Sequence, residues 1–161
     1  YIAAAAVFAA AALTDFLDGR IARKYGLVTD LGKFLDSSAD KVLVLASLIV
    51  MAEAHVLPPI AGGICCAVII AREIMISCLR MVAAAKGVVM AADKLGKWKT
   101  VFQDVSIITL LVAFGVFGAE YLNAAYIIGL SLFGVSVALT VVSGIHYLVV
   151  NKAVLKEGSD K

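Results

Sequence analysis

The chain has 161 residues, of which 63% are hydrophobic and 16% charged, and its mean hydropathy is +1.02. These values lie far outside the range of soluble globular proteins, so they exclude that class and indicate an integral membrane protein. The net charge of +2 comes from the loops between apolar segments. It therefore bears on membrane orientation and gives no argument for nucleic-acid binding.

Five long apolar segments follow one another along the chain. They cover residues 1 to about 17, about 42 to 56, about 60 to 85, about 101 to 118 and about 124 to 150. Because the apolar runs are continuous rather than alternating, and because backbone in lipid must be satisfied internally, we expect an all-α polytopic bundle of five transmembrane helices. The second segment is near the lower length limit for a span. We treat residues 1–161 as one transmembrane domain.

Glycines recur in the last two apolar segments. They form two pairs, Gly115 with Gly118 and Gly129 with Gly134, which we expect to let helices pack closely.

Lysine and arginine are concentrated in alternate connections between the segments. The first loop, the third loop and the C-terminal tail carry them, whereas the other two connections have none. The positive-inside rule therefore places the first loop, the third loop and the tail in the cytoplasm. Tyr1 then faces outward, and because the chain begins without an initiator Met or a signal peptide, we expect a preceding helix that brings the intact protein to six.

Four aspartates, Asp15, Asp18, Asp36 and Asp40, flank the first cytoplasmic loop. Carboxylates are costly beside lipid and need a compensating partner, for which a pair of divalent cations is the obvious candidate. Spacings of three and four residues place each pair on one face of a helix, so two helices can face each other through carboxylates. Oxygen ligands suit Mg²⁺ or Mn²⁺, and a carboxylate shared by two ions, for which Asp36 is the candidate, lets them sit roughly 4 Å apart.

The same stretch carries a longer pattern of fixed residues. It reads Asp15-x2-Asp18-Gly19-x2-Ala22-Arg23-x8-Gly32-x3-Asp36-x3-Asp40. This pattern resembles the signature of the CDP-alcohol phosphatidyltransferase family at every fixed position. The resemblance implies an enzyme that gives the phosphatidyl group of a CDP-linked lipid to an alcohol, with release of CMP and with two Mg²⁺ or Mn²⁺ ions as cofactors.

The resemblance also implies roles for individual residues. The first ion is held by Asp15, Asp18 and Asp36, and the second by Asp36 and Asp40. Asp40 is also the expected general base, which takes the proton from the attacking hydroxyl. The residues expected to bind the CDP-lipid are Asp15, Asp18, Gly19, Ala22, Arg23, Thr29, Gly32 and Asp36.

The third apolar segment carries Arg72, Glu73 and Arg80 well inside a span. Charged residues at this depth are functional candidates. Arg72 and Arg80 fall on one helix face, and two guanidinium groups there suit a dianionic phosphate. The alternative is an intramembrane ion pair of one arginine with Glu73 or with an aspartate of the motif, although one carboxylate cannot neutralise two arginines.

The fourth segment opens with the basic stretch Gly96-Lys-Trp-Lys-Thr100, followed by Gln103. Lys97 or Lys99 can complete a phosphate site near the N-terminus of a helix. The alternative for Lys86, Lys94 and Lys99 is anchoring to lipid head groups.

These downstream motifs, with Ala71-Arg-Glu and Ser77-x-Leu-Arg80, resemble the bacterial branch of the family that uses sn-glycerol 3-phosphate. The resemblance implies CDP-diacylglycerol as donor, phosphatidylglycerophosphate and CMP as products, and a homodimer in the bacterial inner membrane with its active site facing the cytoplasm. It also implies that the phosphate of the acceptor is bound by Arg72, Arg80 and Lys97.

Other functions remain open on the residues alone. Within the family, the acceptor can instead be inositol phosphate, serine or a phospholipid. An ion transporter would also carry intramembrane charges, but it predicts acids spread through the span rather than gathered at one end. An intramembrane prenyltransferase also binds a lipid diphosphate through metal-bridged aspartates, but it has no need of the Asp-Gly-x2-Ala-Arg spacing.

Overall fold

The computed structural model describes residues 1–25, 30–88, 94–118 and 123–151, and within them the chain forms five α-helices and no strand. The helices are α1 (Ile2–Tyr25), α2 (Asp30–Glu53), α3 (Ala61–Ala85), α4 (Lys94–Phe117) and α5 (Ala124–Val150). The predicted all-α class is confirmed. The first two helices are longer than their apolar segments, because helical backbone continues through the charged residues that border the first loop.

Four helical stretches in the described part of the chain are long and apolar enough to cross a membrane. They are Ile2–Ile21, Ala61–Ala85, Leu95–Phe117 and Ala124–Val150. Helix α2 is not among them, because charged residues occupy its first half and its apolar half alone is short. The chain is a multi-pass membrane protein.

Successive helices run antiparallel. An apolar groove of about 400 Å³ lies between residues 3–8 of α1 and 43–51 of α2, which pairs the start of one helix with the end of the next. The Tyr1 ring meets the Phe114 ring edge to face at 4.9 Å between centroids, so the start of α1 also lies beside the end of α4. The ends of α1, α3 and α5 therefore lie together with the starts of α2 and α4.

We call this end of the bundle the polar end. It comprises residues 15–25 of α1, 30–41 of α2, 72–85 of α3, 94–104 of α4 and 140–150 of α5. The helix order alone thus gathers the predicted metal ligands and the predicted phosphate ligands at one end.

The apolar core fills the rest of the bundle and holds the helices in register. Leu48, Ile107 and Leu110 are fully buried in it. Buried serine and threonine hydroxyls donate within their own helix, as where Thr140 donates to the Ser136 carbonyl at 2.7 Å. In lipid, where no water is available, this local bond avoids the cost of an unpaired polar group.

Two of the four glycines predicted to allow close packing do so. A Cβ on Gly115 would lie 2.7 Å from Ile2 Cγ1, and a Cβ on Gly129 would lie 2.9 Å from Leu110 Cγ. The prediction is wrong for Gly134, where a Cβ would have open space among the described atoms. It is also wrong for Gly118, which follows the last residue of α4 with a φ of +68° and ends that helix instead.

We expect Gly129→Ala to lower the free energy of unfolding by about 1–3 kcal/mol, because the added methyl group overpacks the contact with Leu110. Gly134→Ala is the control on the same helix, where helix propensity alone favours alanine by about 1 kcal/mol. Thermal unfolding of the purified protein in detergent, followed by circular dichroism, measures both. Equal shifts in the two variants would contradict the packing role of Gly129.

Candidate active site

The predicted metal ligands divide between α1 and α2 at the polar end. Asp15 is half-buried and Asp18 exposed, one turn apart on α1. Asp36 and Asp40 fall within α2, also one turn apart, but their side chains lie outside the described residues. Because α1 and α2 are antiparallel neighbours, both pairs of positions lie at the same end.

The remaining predicted CDP-lipid residues are placed only in part. Gly19 on α1 is half-buried and Gly32 on α2 is exposed. The side chains of Ala22 and Arg23, and the whole of Thr29, lie outside the described residues. Their roles stay predictions.

The donor set fits a hard divalent cation. All four predicted ligands are carboxylates, the donors that Mg²⁺ and Mn²⁺ prefer, and they stand in two helical pairs at one end of the bundle. Among the side chains that the structure describes, no three potential ligands come together, and two of the four predicted ligands are not among those side chains.

A buried ion cluster lies beside these positions, on α3 and α4. Glu73 Oε1 accepts from Arg72 Nη1 at 2.9 Å and from Lys99 Nζ at 2.5 Å. The three side chains are 15%, 12% and 5% exposed, respectively. The alternative of an intramembrane ion pair is therefore found for Arg72. Head-group anchoring does not apply to Lys99, because its ammonium group is buried against Glu73.

Arg72 passes through a narrow space between α4 and α5. Its Nη2 donates to Ser143 Oγ at 3.1 Å. A Cβ on Gly96 would lie 3.5 Å from that Nη2, and a Cβ on Gly144 would lie 3.2 Å from Arg72 Cγ. Gly144 therefore lets α5 come close to the aliphatic part of Arg72, whereas the contact at Gly96 is an ordinary van der Waals distance.

Arg80 lies further along the same face of α5. Its Nε donates to the Tyr147 hydroxyl at 3.1 Å, and its guanidinium lies 5.4 Å from the centroid of the Tyr147 ring. Ser143 and Tyr147 are one helical turn apart, so the structure brings both arginines to one side of α5. Arg80 is exposed, as is Lys97 in the first turn of α4.

Charge is not balanced in this cluster. Arg72 and Lys99 contact the carboxylate of Glu73, whereas Arg80, on the same side of α5, has no carboxylate among the described ion pairs. These three cations and one carboxylate together carry a charge of +2, which would balance the charge of a phosphate monoester dianion.

A small polar cavity of about 20 Å³ connects this cluster to α2. Its lining residues are Lys41, Val44, Leu45, Glu73, Lys99, Thr100 and Gln103. Lys41 directly follows Asp40, so the cavity joins the end of the aspartate motif to the basic cluster.

Comparison with known proteins identifies the family. The CDP-alcohol phosphatidyltransferase family matches residues 1–150. The chain belongs to this family.

Named relatives of this CDP-alcohol phosphatidyltransferase share more than the motif. The chain is 41% identical over 159 residues to a CDP-diacylglycerol–glycerol-3-phosphate 3-phosphatidyltransferase of Bacillus subtilis, covering 97% of this chain and 77% of that protein. It is 38% identical over 153 residues to the protein of the same name in Shigella flexneri, covering 91% and 76%. An Arabidopsis thaliana relative, number 2 of that name, is 36% identical over 156 residues and covers 91% and 65%.

Family membership confirms the resemblance carried by the aspartate motif. It also argues against the prenyltransferase and transporter alternatives, which are different classes of protein. In this CDP-alcohol phosphatidyltransferase, sequence reasoning missed Ser143 and Tyr147 as partners of the arginines. The available signal was the run of polar side chains on one face of the otherwise apolar α5, at Thr140, Ser143 and Tyr147.

Proposed function

We propose that this protein transfers the phosphatidyl group of CDP-diacylglycerol to sn-glycerol 3-phosphate, giving phosphatidylglycerophosphate and CMP. The observation that carries the proposal is the basic cluster beside the aspartate helices, in which Arg72 and Lys99 share the carboxylate of Glu73 and Arg80 lies on the same side of α5 as Arg72. Its excess charge matches the phosphate of the acceptor. The names of the relatives, all acting on glycerol 3-phosphate, support the same acceptor.

The donor side of the reaction is assigned to the aspartate motif. Asp15, Asp18, Asp36 and Asp40 would hold two Mg²⁺ or Mn²⁺ ions, which when bound stabilise negative charge on the diphosphate and on departing CMP. Gly19 and Ala22 leave room for the nucleotide, Gly32 lets backbone come close, and Arg23 offers a planar fork to phosphate. Thr29 is the last of the residues assigned to binding of the CDP-lipid.

The acceptor side is assigned to the basic cluster. Arg72 and Arg80 bind the phosphate of glycerol 3-phosphate, and Lys97, exposed in the first turn of α4, adds a third cation near a helix N-terminus. Asp40 takes the proton of the attacking hydroxyl of the acceptor. The oxygen of that hydroxyl bonds to the phosphorus of the phosphatidyl group, and the bond between this phosphorus and CMP breaks.

We also propose that the polar end faces the cytoplasm, in the inner membrane of a bacterium, and that the protein is a homodimer. The alternation of basic and uncharged connections supports the orientation. The homodimer rests on resemblance to the family.

The test is turnover by the purified protein. With Mg²⁺ or Mn²⁺, CDP-diacylglycerol and glycerol 3-phosphate, CMP should be released and phosphatidylglycerophosphate should appear in the lipid extract. A panel with inositol phosphate, serine and a phospholipid checks the acceptor. CMP release only with one of these would overturn the choice of glycerol 3-phosphate, and ion flux without CMP release would overturn the reaction itself.

We expect Arg80→Met to raise the KM for glycerol 3-phosphate by about 10- to 100-fold, because a hydrogen bond to a charged group is worth about 1.5–3 kcal/mol. The KM for CDP-diacylglycerol should change little. Arg80 is exposed, and among the described residues its side chain makes one hydrogen bond, to Tyr147, so the variant should fold. Initial rates of CMP release, with each substrate varied in turn, give both constants.

Lys86→Met is the matched control for Arg80→Met. Lys86 is an exposed cation that follows α3 at the same end of the bundle, and no role in the site is assigned to it. Equal rises in both KM values for Arg80→Met, or the same rise in acceptor KM for Lys86→Met, would contradict a phosphate contact by Arg80.

A further inference from the structure

The side-chain amide of Gln103 is buried and has no partner among the described residues. Gln103 is 1% exposed, and neither its Nε2 nor its Oε1 makes a hydrogen bond there. Burying an amide unpaired costs about 1–3 kcal/mol in proteins. A side chain of similar shape without the amide, such as methionine, would avoid that cost. A ligand that forms hydrogen bonds with the amide would explain why glutamine occupies this position.

Neighbouring hydroxyls on α4 do not satisfy this amide. Thr100 Oγ1 donates to the Gly96 carbonyl at 3.2 Å, and Ser106 Oγ donates to the backbone carbonyl of Gln103 at 2.7 Å. Each hydroxyl has one proton, and these bonds use it. Neither hydroxyl can therefore donate to the amide oxygen of Gln103, and the amide nitrogen also has no partner among the described residues.

Gln103 lines the small polar cavity that also contains Glu73 and Lys99. A volume of about 20 Å³ holds one water molecule or one hydroxyl group, since about 10–15 Å³ is enough for a water. It is too small for a whole phosphate group. The walls offer both donors and acceptors, which suits a neutral group that does both.

The cavity adjoins the proposed phosphate site through one shared side chain. Glu73 contacts Arg72 at 2.9 Å and also lines the cavity with Gln103. A ligand whose phosphate is bound by Arg72 therefore needs only a short carbon chain to bring a hydroxyl to Gln103.

We propose that Gln103 is a specificity-determining residue that binds the hydroxyl of the acceptor that does not react. This inference rests on the proposed function. Glycerol 3-phosphate has two hydroxyl groups, of which one becomes the new ester oxygen and the other passes through the reaction unchanged. The Gln103 carbonyl accepts from that second hydroxyl, and the Gln103 amide nitrogen donates to its oxygen.

The test compares two acceptors and two proteins. The acceptors are glycerol 3-phosphate and 3-hydroxypropyl phosphate, which lacks the secondary hydroxyl, and the proteins are wild type and Gln103→Met. Wild type should prefer glycerol 3-phosphate at least about tenfold in kcat/KM, because unpaired polar groups in a site reject an analogue that lacks the matching hydroxyl. Gln103→Met should lose most of that preference, with the KM for CDP-diacylglycerol unchanged.

Thermal unfolding gives a readout independent of turnover. Without acceptor, Gln103→Met should have a Tm equal to or above that of wild type, because methionine fills a similar volume and removes the unpaired amide. Glycerol 3-phosphate should raise the Tm of wild type more than that of the variant. A lower Tm for the variant without acceptor would show that the amide is already satisfied in the free protein, by a bound water, and would overturn the inference.

The kinetic outcomes separate this inference from the proposed function. If wild type releases CMP with glycerol 3-phosphate but shows no preference over the analogue, the inference fails and the proposed function stands. The same conclusion follows if Gln103→Met keeps the preference or loses rate equally with both acceptors. If wild type releases no CMP with glycerol 3-phosphate, the proposed function fails and the inference fails with it.

Discussion

Asp36→Ala is expected to reduce CMP release by about 10³-fold or more, because a shared metal ligand supports several kcal/mol of charge stabilisation and each 1.4 kcal/mol is worth tenfold in rate. Asp36 is the predicted carboxylate bridge between two cations, so its loss affects both. The measurement is the rate of CMP release at saturating CDP-diacylglycerol and glycerol 3-phosphate, over a titration of Mg²⁺ or Mn²⁺.

Glu53→Ala is the control for Asp36→Ala. Glu53 is an exposed carboxylate on the last residue of α2, at the opposite end of the same helix. The Glu53→Ala variant should keep the wild-type rate of CMP release and the wild-type dependence on metal concentration. Near-normal turnover by Asp36→Ala, or its rescue by a higher concentration of metal alone, would contradict the bridging role.

Glu73→Ala is expected to lower the free energy of unfolding by about 3–5 kcal/mol, because it leaves buried cations without their carboxylate. Both Arg72 Nη1 and Lys99 Nζ donate to the same Glu73 oxygen, and the Lys99 side chain is buried. Arg72 keeps its bond to Ser143, whereas Lys99 has no other hydrogen bond among the described residues. Thermal unfolding of the purified protein in detergent measures the loss.

Lys99→Met serves as the partner variant in a double-mutant cycle with Glu73→Ala. Once Glu73 is gone, removing the lysine charge should restore part of the lost stability, so the double variant should be more stable than the sum of the two single effects predicts. Simple additivity of the two losses would contradict the ion pair.

The fold was largely predictable, because long continuous apolar runs in a chain of this composition leave few options other than helices. Hydropathy alone did not give the helix bounds near the first loop. Hydropathy stops at the first charged residues, but helical backbone does not, so α1 continues through Tyr25 and α2 begins at Asp30. Hydropathy also gave no means to tell Gly129, which packs against Leu110, from Gly134, which faces open space.

The candidate site was predictable where it depends on local spacing, and not where it depends on packing. Intervals of three and four residues placed the aspartates on helix faces without knowledge of neighbouring helices. Local spacing could not choose between Lys97 and Lys99. Residues two apart lie on nearly opposite sides of a helix, so the packing of α4 decides which of the two is buried. The structure buries Lys99 against Glu73 and exposes Lys97.

Arg72 and Arg80 would also bind the product of the proposed reaction. In the proposed reaction the phosphate monoester of the acceptor is not altered, so phosphatidylglycerophosphate still carries the dianion that Arg72 and Arg80 would bind. The product should therefore compete with fresh glycerol 3-phosphate for the same cations. Turnover should then slow as phosphatidylglycerophosphate accumulates in the bilayer around the protein.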